Sequence, residues 1–264
     1  MKVTTITCNP VSGLREGNPN NTILDFERLM LDFLCEGKDY QKNYRAVLVD
    51  SATNAIELCC MVNVLENKFN KDKKIEIPNQ TYVSVKNVFA RFSKIELVDK
   101  EWDNYYQVHN IVDSAGYLPV GELPSIFGNG FEGIDYLVLS FGNSKPFPMN
   151  KGGMIIFQKD YLKIKSLKNS QKKNDSFSGL SKYSLLKRLA HDGRDSALKV
   201  EDDILLEING INPSMKCNLV PEQINDGLIR LQDRNYAYFL KYKHRKGHLK
   251  KCCSENYPKI NKDI

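Results

Sequence analysis

The stretch Ala46-Val47-Leu48-Val49-Asp50-Ser51-Ala52-Thr53-Asn54-Ala55-Ile56 decides the fold. Its short apolar run reads as a strand that stops at Asp50-Ser51. A helical pattern then opens at Thr53 and carries Ile56, Cys59, Cys60 and Leu65. Upstream, Thr22 to Glu36 reads as a helix, with Thr22 and Asp25 in capping-box spacing and Leu29, Met30 and Phe33 at helical intervals. Downstream the same grammar repeats. Ile75-Glu76-Ile77 ends at Pro78, Val85, Val88, Phe89 and Phe92 mark one face of a helix, and Ile95 to Val98 is extended. Strands at Val108 to Val112, Tyr136 to Phe141 and Met154 to Phe157 complete the series, with few helices between them. Strands alternating with helices predict an α/β layered domain on a mainly parallel sheet, with ligands beyond the strands' C-terminal ends.

Further along, residues 168–179 read as a polar surface loop and Tyr183 to Ala190 as a helix. A last helix opens on Pro221 and runs through Ile224, Leu228 and Leu231, with Gly227 as its weak point. No internal repeat is present.

The 264 residues carry 38 Lys+Arg against 32 Asp+Glu and are 41% hydrophobic, enough apolar material for one substantial core, which excludes global disorder. Seven cysteines, odd in number and including the vicinal pairs Cys59-Cys60 and Cys252-Cys253, suit neither a disulfide framework nor a zinc site. The expectation is a reduced, cytoplasmic protein with no metal. Apolar stretches such as Leu137 to Leu139 are too short to span a bilayer, and the N-terminus lacks an apolar signal core. The net charge of +6 concentrates in Lys159 to Lys173 and Lys241 to Lys251 without any nucleic-acid motif. Solvated lysine-rich surface is the reading that fits, with polyanion binding as a minor alternative.

Read alone, Lys145 is a solvated loop charge and Asp113 a turn or cap residue. Their settings say more. Ser140-Phe141-Gly142-Asn143-Ser144-Lys145 leaves an apolar strand, and Gly152-Gly153 opens the next; Asp113-Ser114-Ala115-Gly116 likewise follows Ile111-Val112. With Ser51-Ala52-Thr53-Asn54-Ala55 and Pro78-Asn79-Gln80-Thr81-Tyr82, these segments occur in an order that resembles the DegT/StrS-type sugar aminotransferases. That family's pattern is a Ser-Gly-Thr-Ala-Ala-like turn, Pro-x-x-Thr-aromatic, Asp-x-Ala-His or Gln, then Ser-Phe-x-x-x-Lys with Gly-Gly seven residues on. The likeness runs from about Thr22 to Leu231.

The resemblance implies a pyridoxal-phosphate enzyme with the three-layer α/β/α aspartate-aminotransferase (type I) fold, here with a reduced central sheet and a truncated small C-terminal domain. Residues 1–215 would form the cofactor-binding domain and 216–264 a reduced helical segment with a basic tail. Lys145 and Asp113 are the implied catalytic pair. Lys145 would form the Schiff base and then shuttle a proton, and Asp113 would face the pyridine N–H. Thr53 and Asn54, at a helix start, would hold the phosphate through backbone N–H groups; an ordinary helix cap is the alternative there. Ser140 would donate to the same phosphate. Tyr82 would stack on the ring, against the alternative of simple packing.

Gly210-Ile211-Asn212-Pro213-Ser214-Met215 is similar to the family's Gly-Tyr-Asn-Tyr-Arg-Met loop, which implies a homodimer with shared sites and a cofactor contact at Asn212. His191-Asp192-Gly193 loosely echoes another family loop, or is a polar helix end. The implied reaction moves an amino group, typically from glutamate, to a nucleotide-linked keto-sugar. A non-catalytic or altered relative binding cofactor, sugar nucleotide or protein partner is the alternative.

Three departures stand out. Gly116 occupies the family's His/Gln position. Asp113 follows Tyr82 by only 31 residues, so one β-α unit is lost or replaced by Trp102 to Gln107. The chain also ends soon after the Leu231 helix, where relatives continue into a small domain, which predicts a reduced or open substrate pocket.

Overall fold

A computed structural model describes residues 23–38, 43–66, 68–100, 102, 104–130, 133–158, 186–187, 190, 219 and 221–233. The elements in chain order are α1 (Ile23–Leu34), β1 (Tyr44–Val49), α2 (Ala52–Leu65), β2 (Lys74–Pro78), α3 (Val83–Phe92), β3 (Lys94–Val98), β4 (Tyr106–Val108), β5 (Ile111–Asp113), β6 (Tyr136–Ser140), β7 (Gly153–Gln158) and α4 (Pro221–Gln232). A short helical stretch, Leu123–Ser125 continuing as a π-turn at Ile126–Gly130, lies between β5 and β6. Among the described residues no helix is long and apolar enough to cross a membrane. Thr22, the polar loop at 168–179, the lysine clusters and most of the helix expected at 183–190 lie outside the described residues.

The main sheet has the order β1-β7-β6-β5-β4, and β2 and β3 form a separate parallel pair. Only β5–β6 is a parallel pairing in the main sheet; β1–β7, β6–β7 and β4–β5 are antiparallel. The expectation of a mainly parallel sheet is therefore corrected. The reason lies in the connections: parallel neighbours need a long crossover, whereas antiparallel ones need only a short return. β2 and β3 are joined by helix α3 and are parallel. β6 and β7 are joined without a helix and are antiparallel. Val108 to Val112, expected as one strand, is a hairpin of β4 and β5 turned at His109-Asn110, with His109 in the left-handed region at φ 54. Because β7 runs against both its neighbours, β1, β5 and β6 point the same way and end at one edge.

Both faces of the sheet are covered, giving three α/β/α layers. Val47, Val49, Ile111, Tyr136, Val138, Ile155 and Phe157 pack with residues of α2 and α3. The alternate positions Ala46, Leu48, Val112, Leu137, Leu139, Met154 and Ile156 pack with residues of α1 and α4. Period-two alternation thus sorts side chains between two apolar cores, which is why these strands read as continuous apolar runs. Cys59 and Cys60 are buried in α2, and burial pushes the Cys60 thiol well above its ordinary range.

Two polar features fix the frame. Glu27, buried on α1, accepts the backbone N–H of Leu48 at 2.8 Å, which closes part of the exposed edge of β1. At the far end of the sheet, Asn63 and Asn110 exchange reciprocal amide bonds of 2.7 and 2.8 Å, and Asn110 also donates to Asp135 at 2.5 Å. On α4, Ile224 and Leu228 are buried. Gly227 is there for close approach: a Cβ would lie 2.6 Å from the Phe26 ring.

Candidate active site

The C-terminal ends of β1, β5 and β6 lie at one edge of the sheet, and the amino end of α2 sits at the start of β7 on that same edge. In the parallel β5–β6 ladder Asp113 stands beside Val138, and Ser140 at the end of β6 stands beside Gly153. Asp113 and Ser140 lie two residues beyond Ile111 and Val138, which pack with α2 and α3, so both belong to that face of the sheet.

The close fit between α2 and β7 depends on Gly152-Gly153. Gly152, at φ +116, makes an isolated bridge with Ser51. At Gly153 a Cβ would collide with the Ser51 carbonyl group and sit 2.5 Å from Ala52 N. Helix α2 therefore starts directly over β7. It opens one residue earlier than the sequence suggests, with Ser51 as N-cap: its Oγ accepts from Asn54 N–H at 3.2 Å, and Ala55 N–H makes the first helical bond to Ser51 O. The N–H groups of Ala52 and Thr53 precede the first intrahelical bond and point out of the helix end, where the dipole favours an anion. Of the two residues expected to hold a phosphate through backbone N–H groups, Asn54 thus has its N–H engaged by the cap. Thr53 has its Oγ1 2.9 Å from Ser84 Oγ, tying the first turns of α2 and α3 together.

Asp113 is buried, with 7% of its surface exposed. Its Oδ2 accepts from the Tyr106 hydroxyl at 2.7 Å and its Oδ1 from Ala115 N–H at 2.9 Å. Burial pushes the carboxyl up from its ordinary range; the Tyr106 and Ala115 bonds and the positive charge of Lys145 pull it back. Lys145 and Asp113 are therefore within electrostatic reach of each other. Lys145 is half-buried in the loop after β6, where its N–H closes a turn on Gly142 O at 3.0 Å. A Cβ on Gly142 would touch both Lys145 Cγ and Ser140 Oγ, at 3.7 and 4.0 Å, so these two side chains flank one small residue.

Tyr82 stands at the start of α3, and 60% of its surface is exposed. The preceding Thr81 is buried, and its hydroxyl has no hydrogen-bond partner among the described residues. Asn212 and the His191-Asp192-Gly193 segment lie outside the described residues. The structure thus brings together Asp113, Lys145, Ser140 and the Thr53-Asn54 helix start. Sequence reasoning missed Ser51, Ser84 and Tyr106. Ser51 carried a signal, since a serine just before a helical run is a preferred cap. The His109-Asn110 turn was the signal for Tyr106, because it folds β4 back until Tyr106 faces Asp113.

No family model matches the sequence, and no curated protein matches it. Among solved structures the chain is similar to a GDP-4-keto-6-deoxymannose-3-dehydratase with a trapped PLP-glutamate geminal diamine, at 13% identity over 82% of this chain and 67% of that one, with TM-score 0.45. It is similar also to a protein of Streptococcus pneumoniae described as a sugar aminotransferase in its PLP form, at 16% identity over 83% and 61%, TM-score 0.45. A third likeness is the E. coli GDP-4-keto-6-deoxy-D-mannose-3-dehydratase with hydrated PLP, at 11% identity over 83% and 67%, TM-score 0.42. The chain spans about three-fifths to two-thirds of the length of these proteins.

Proposed function

We propose that this chain is a pyridoxal-phosphate-dependent aminotransferase acting on a keto-sugar. What supports the proposal is the buried Asp113 carboxyl at the end of β5 lying within electrostatic reach of Lys145 in the loop after β6. The donor set suits the cofactor: an amine for its aldehyde, an acid for its ring nitrogen, and a hydroxyl with outward N–H groups for its phosphate. When bound, pyridoxal phosphate supplies an electron sink for breaking and making bonds at an amino-bearing carbon.

The chain's own residues then divide the work. Asp113 would accept the ring N–H, and its place away from water would strengthen that interaction. Lys145 Nζ would hold the aldehyde end of the cofactor and, as a free amine, would accept and return a proton at the reacting carbon. Ser140 Oγ and the first turn of α2, which the missing Cβ of Gly153 lets sit directly on β7, would hold the phosphate. The sequence resemblance further supports glutamate as donor, a nucleotide-linked keto-sugar as acceptor, and a homodimer in which Asn212 reaches the second site.

Absorbance spectroscopy tests this. The protein incubated with pyridoxal phosphate should gain a visible band that borohydride fixes covalently on Lys145, and glutamate should bleach it in a single turnover. Lys145→Ala should abolish the fixed adduct; if the adduct persists, with Lys151 the next amine along, the assignment fails. Cofactor binding without any response to glutamate would make the chain a binding module instead.

A further inference from the structure

The segment between β3 and β5 is one place where the sequence departs from the family it resembles, and that segment supplies a side-chain donor to Asp113. Tyr106 and Asp113 are directly opposed in the β4–β5 ladder, so their side chains share one face of the hairpin. Both are buried, and the hydroxyl donates to Asp113 Oδ2 at 2.7 Å. The Tyr106 ring is held in turn by Trp102, with centroids 4.9 Å apart. On the other side of Asp113, Gly116 offers no side chain where the family pattern has histidine or glutamine.

We infer that Tyr106 is the positioning residue of Asp113: its hydroxyl fixes the carboxylate and favours the ionised form that a protonated ring nitrogen requires. The inference rests on the cofactor reading above. A buried carboxylate facing only one backbone N–H tends toward its neutral form, whereas a second donor stabilises the anion. A carboxylate has about four lone-pair sites. Ala115 N–H and the Tyr106 hydroxyl occupy one on each oxygen, which leaves room for a third donor. Among the described residues the charged group acting on Asp113 is Lys145, from the loop after β6. Tyr106 thereby does by hydrogen bonding what the absent side chain at Gly116 cannot.

The test is Tyr106→Phe in the full chain, read first without cofactor. NMR of isotope-labelled aspartate carboxyls should show the Asp113 titration midpoint move upward, and 3-fluorotyrosine at position 106, a stronger donor, should move it downward even if the phenylalanine variant folds poorly. Pyridoxal phosphate affinity should fall about tenfold, the equivalent of one ion-assisted hydrogen bond. In an Asp113→Asn background the same substitution should cost nothing further. A midpoint unmoved by both replacements overturns the inference whether or not the cofactor binds. A moved midpoint in a protein that leaves pyridoxal phosphate unbound overturns the cofactor reading instead.

Discussion

Lys187 holds its ammonium 2.7 and 2.6 Å from the two carboxylate oxygens of Glu27, across 160 positions of sequence. The pair sits against the edge of β1, because Glu27 also accepts the Leu48 N–H. Burial pushes Glu27 up from the ordinary carboxylate range and Lys187 opposes that push. The arrangement stitches a late part of the chain to the first strand.

Lys187→Met strands a buried carboxylate, and urea unfolding should show a loss on the order of 3 kcal/mol at neutral pH. With the folded value raised further, stability should be retained in acid, below the ordinary carboxylate value, and lost as pH rises through the folded value. Pairing it with Glu27→Gln should recover most of the loss.

Asp113→Asn should act in opposite directions on stability and on binding. The folded carboxyl lies above its ordinary value of 3.8, so its ionised form costs stability at neutral pH and not below that value. Thermal unfolding of the cofactor-free variant should show a higher melting temperature than the parent at neutral pH, converging with it in acid. The same variant should lose pyridoxal phosphate affinity, since an amide carries no charge for the ring nitrogen.

How far these residues could be read in advance differs between them. The Ala46-to-Ile56 stretch gave both elements because the change from a strand run to a helical period is a local property of the side chains. Strand direction was not local. Met154 to Phe157 is apolar throughout because both faces of β7 are covered, and such a run carries no mark of orientation. The β4–β5 hairpin was hidden because Val108 and Val112 bracket His109-Asn110 in a short stretch that also passes for one strand. With the hairpin unread, Tyr106 and Asp113 were seven residues apart along a line rather than face to face. Lys145, Asp113 and Ser140 were legible as an ordered set of strand ends, whereas their shared face depended on register.

Gly153→Ala should be costly out of proportion to one methyl group. The added carbon meets backbone atoms of Ser51 and Ala52, which cannot rotate away, so α2 must shift. A destabilisation of about 1–3 kcal/mol is expected from denaturant titration. Phosphate affinity, measured by calorimetry with pyridoxal phosphate, should fall as well, because the helix end moves from Ser140.

Asn110→Ala removes the amide shared by Asn63 and Asp135 and leaves both without that partner in the interior. A loss of about 2 kcal/mol in urea unfolding is expected. Asn110 also turns the β4–β5 hairpin, so the variant should broaden the Asp113 carboxyl signal in NMR.

The position of β7 between β1 and β6 has a consequence for biosynthesis. A nascent chain that has emerged only as far as Ser140 has made the first strand and the sixth, and in the finished order neither touches the other. Each must wait for the hydrogen bonds that Gly153 to Gln158 supply. Insertion of that one hairpin arm between two older strands closes the sheet, and it joins the lysine loop to the helix start in the same movement. Ribosome-bound chains stopped before Gln158 should accordingly be protease-sensitive, and the full chain, with α4 laid over the second core, should not.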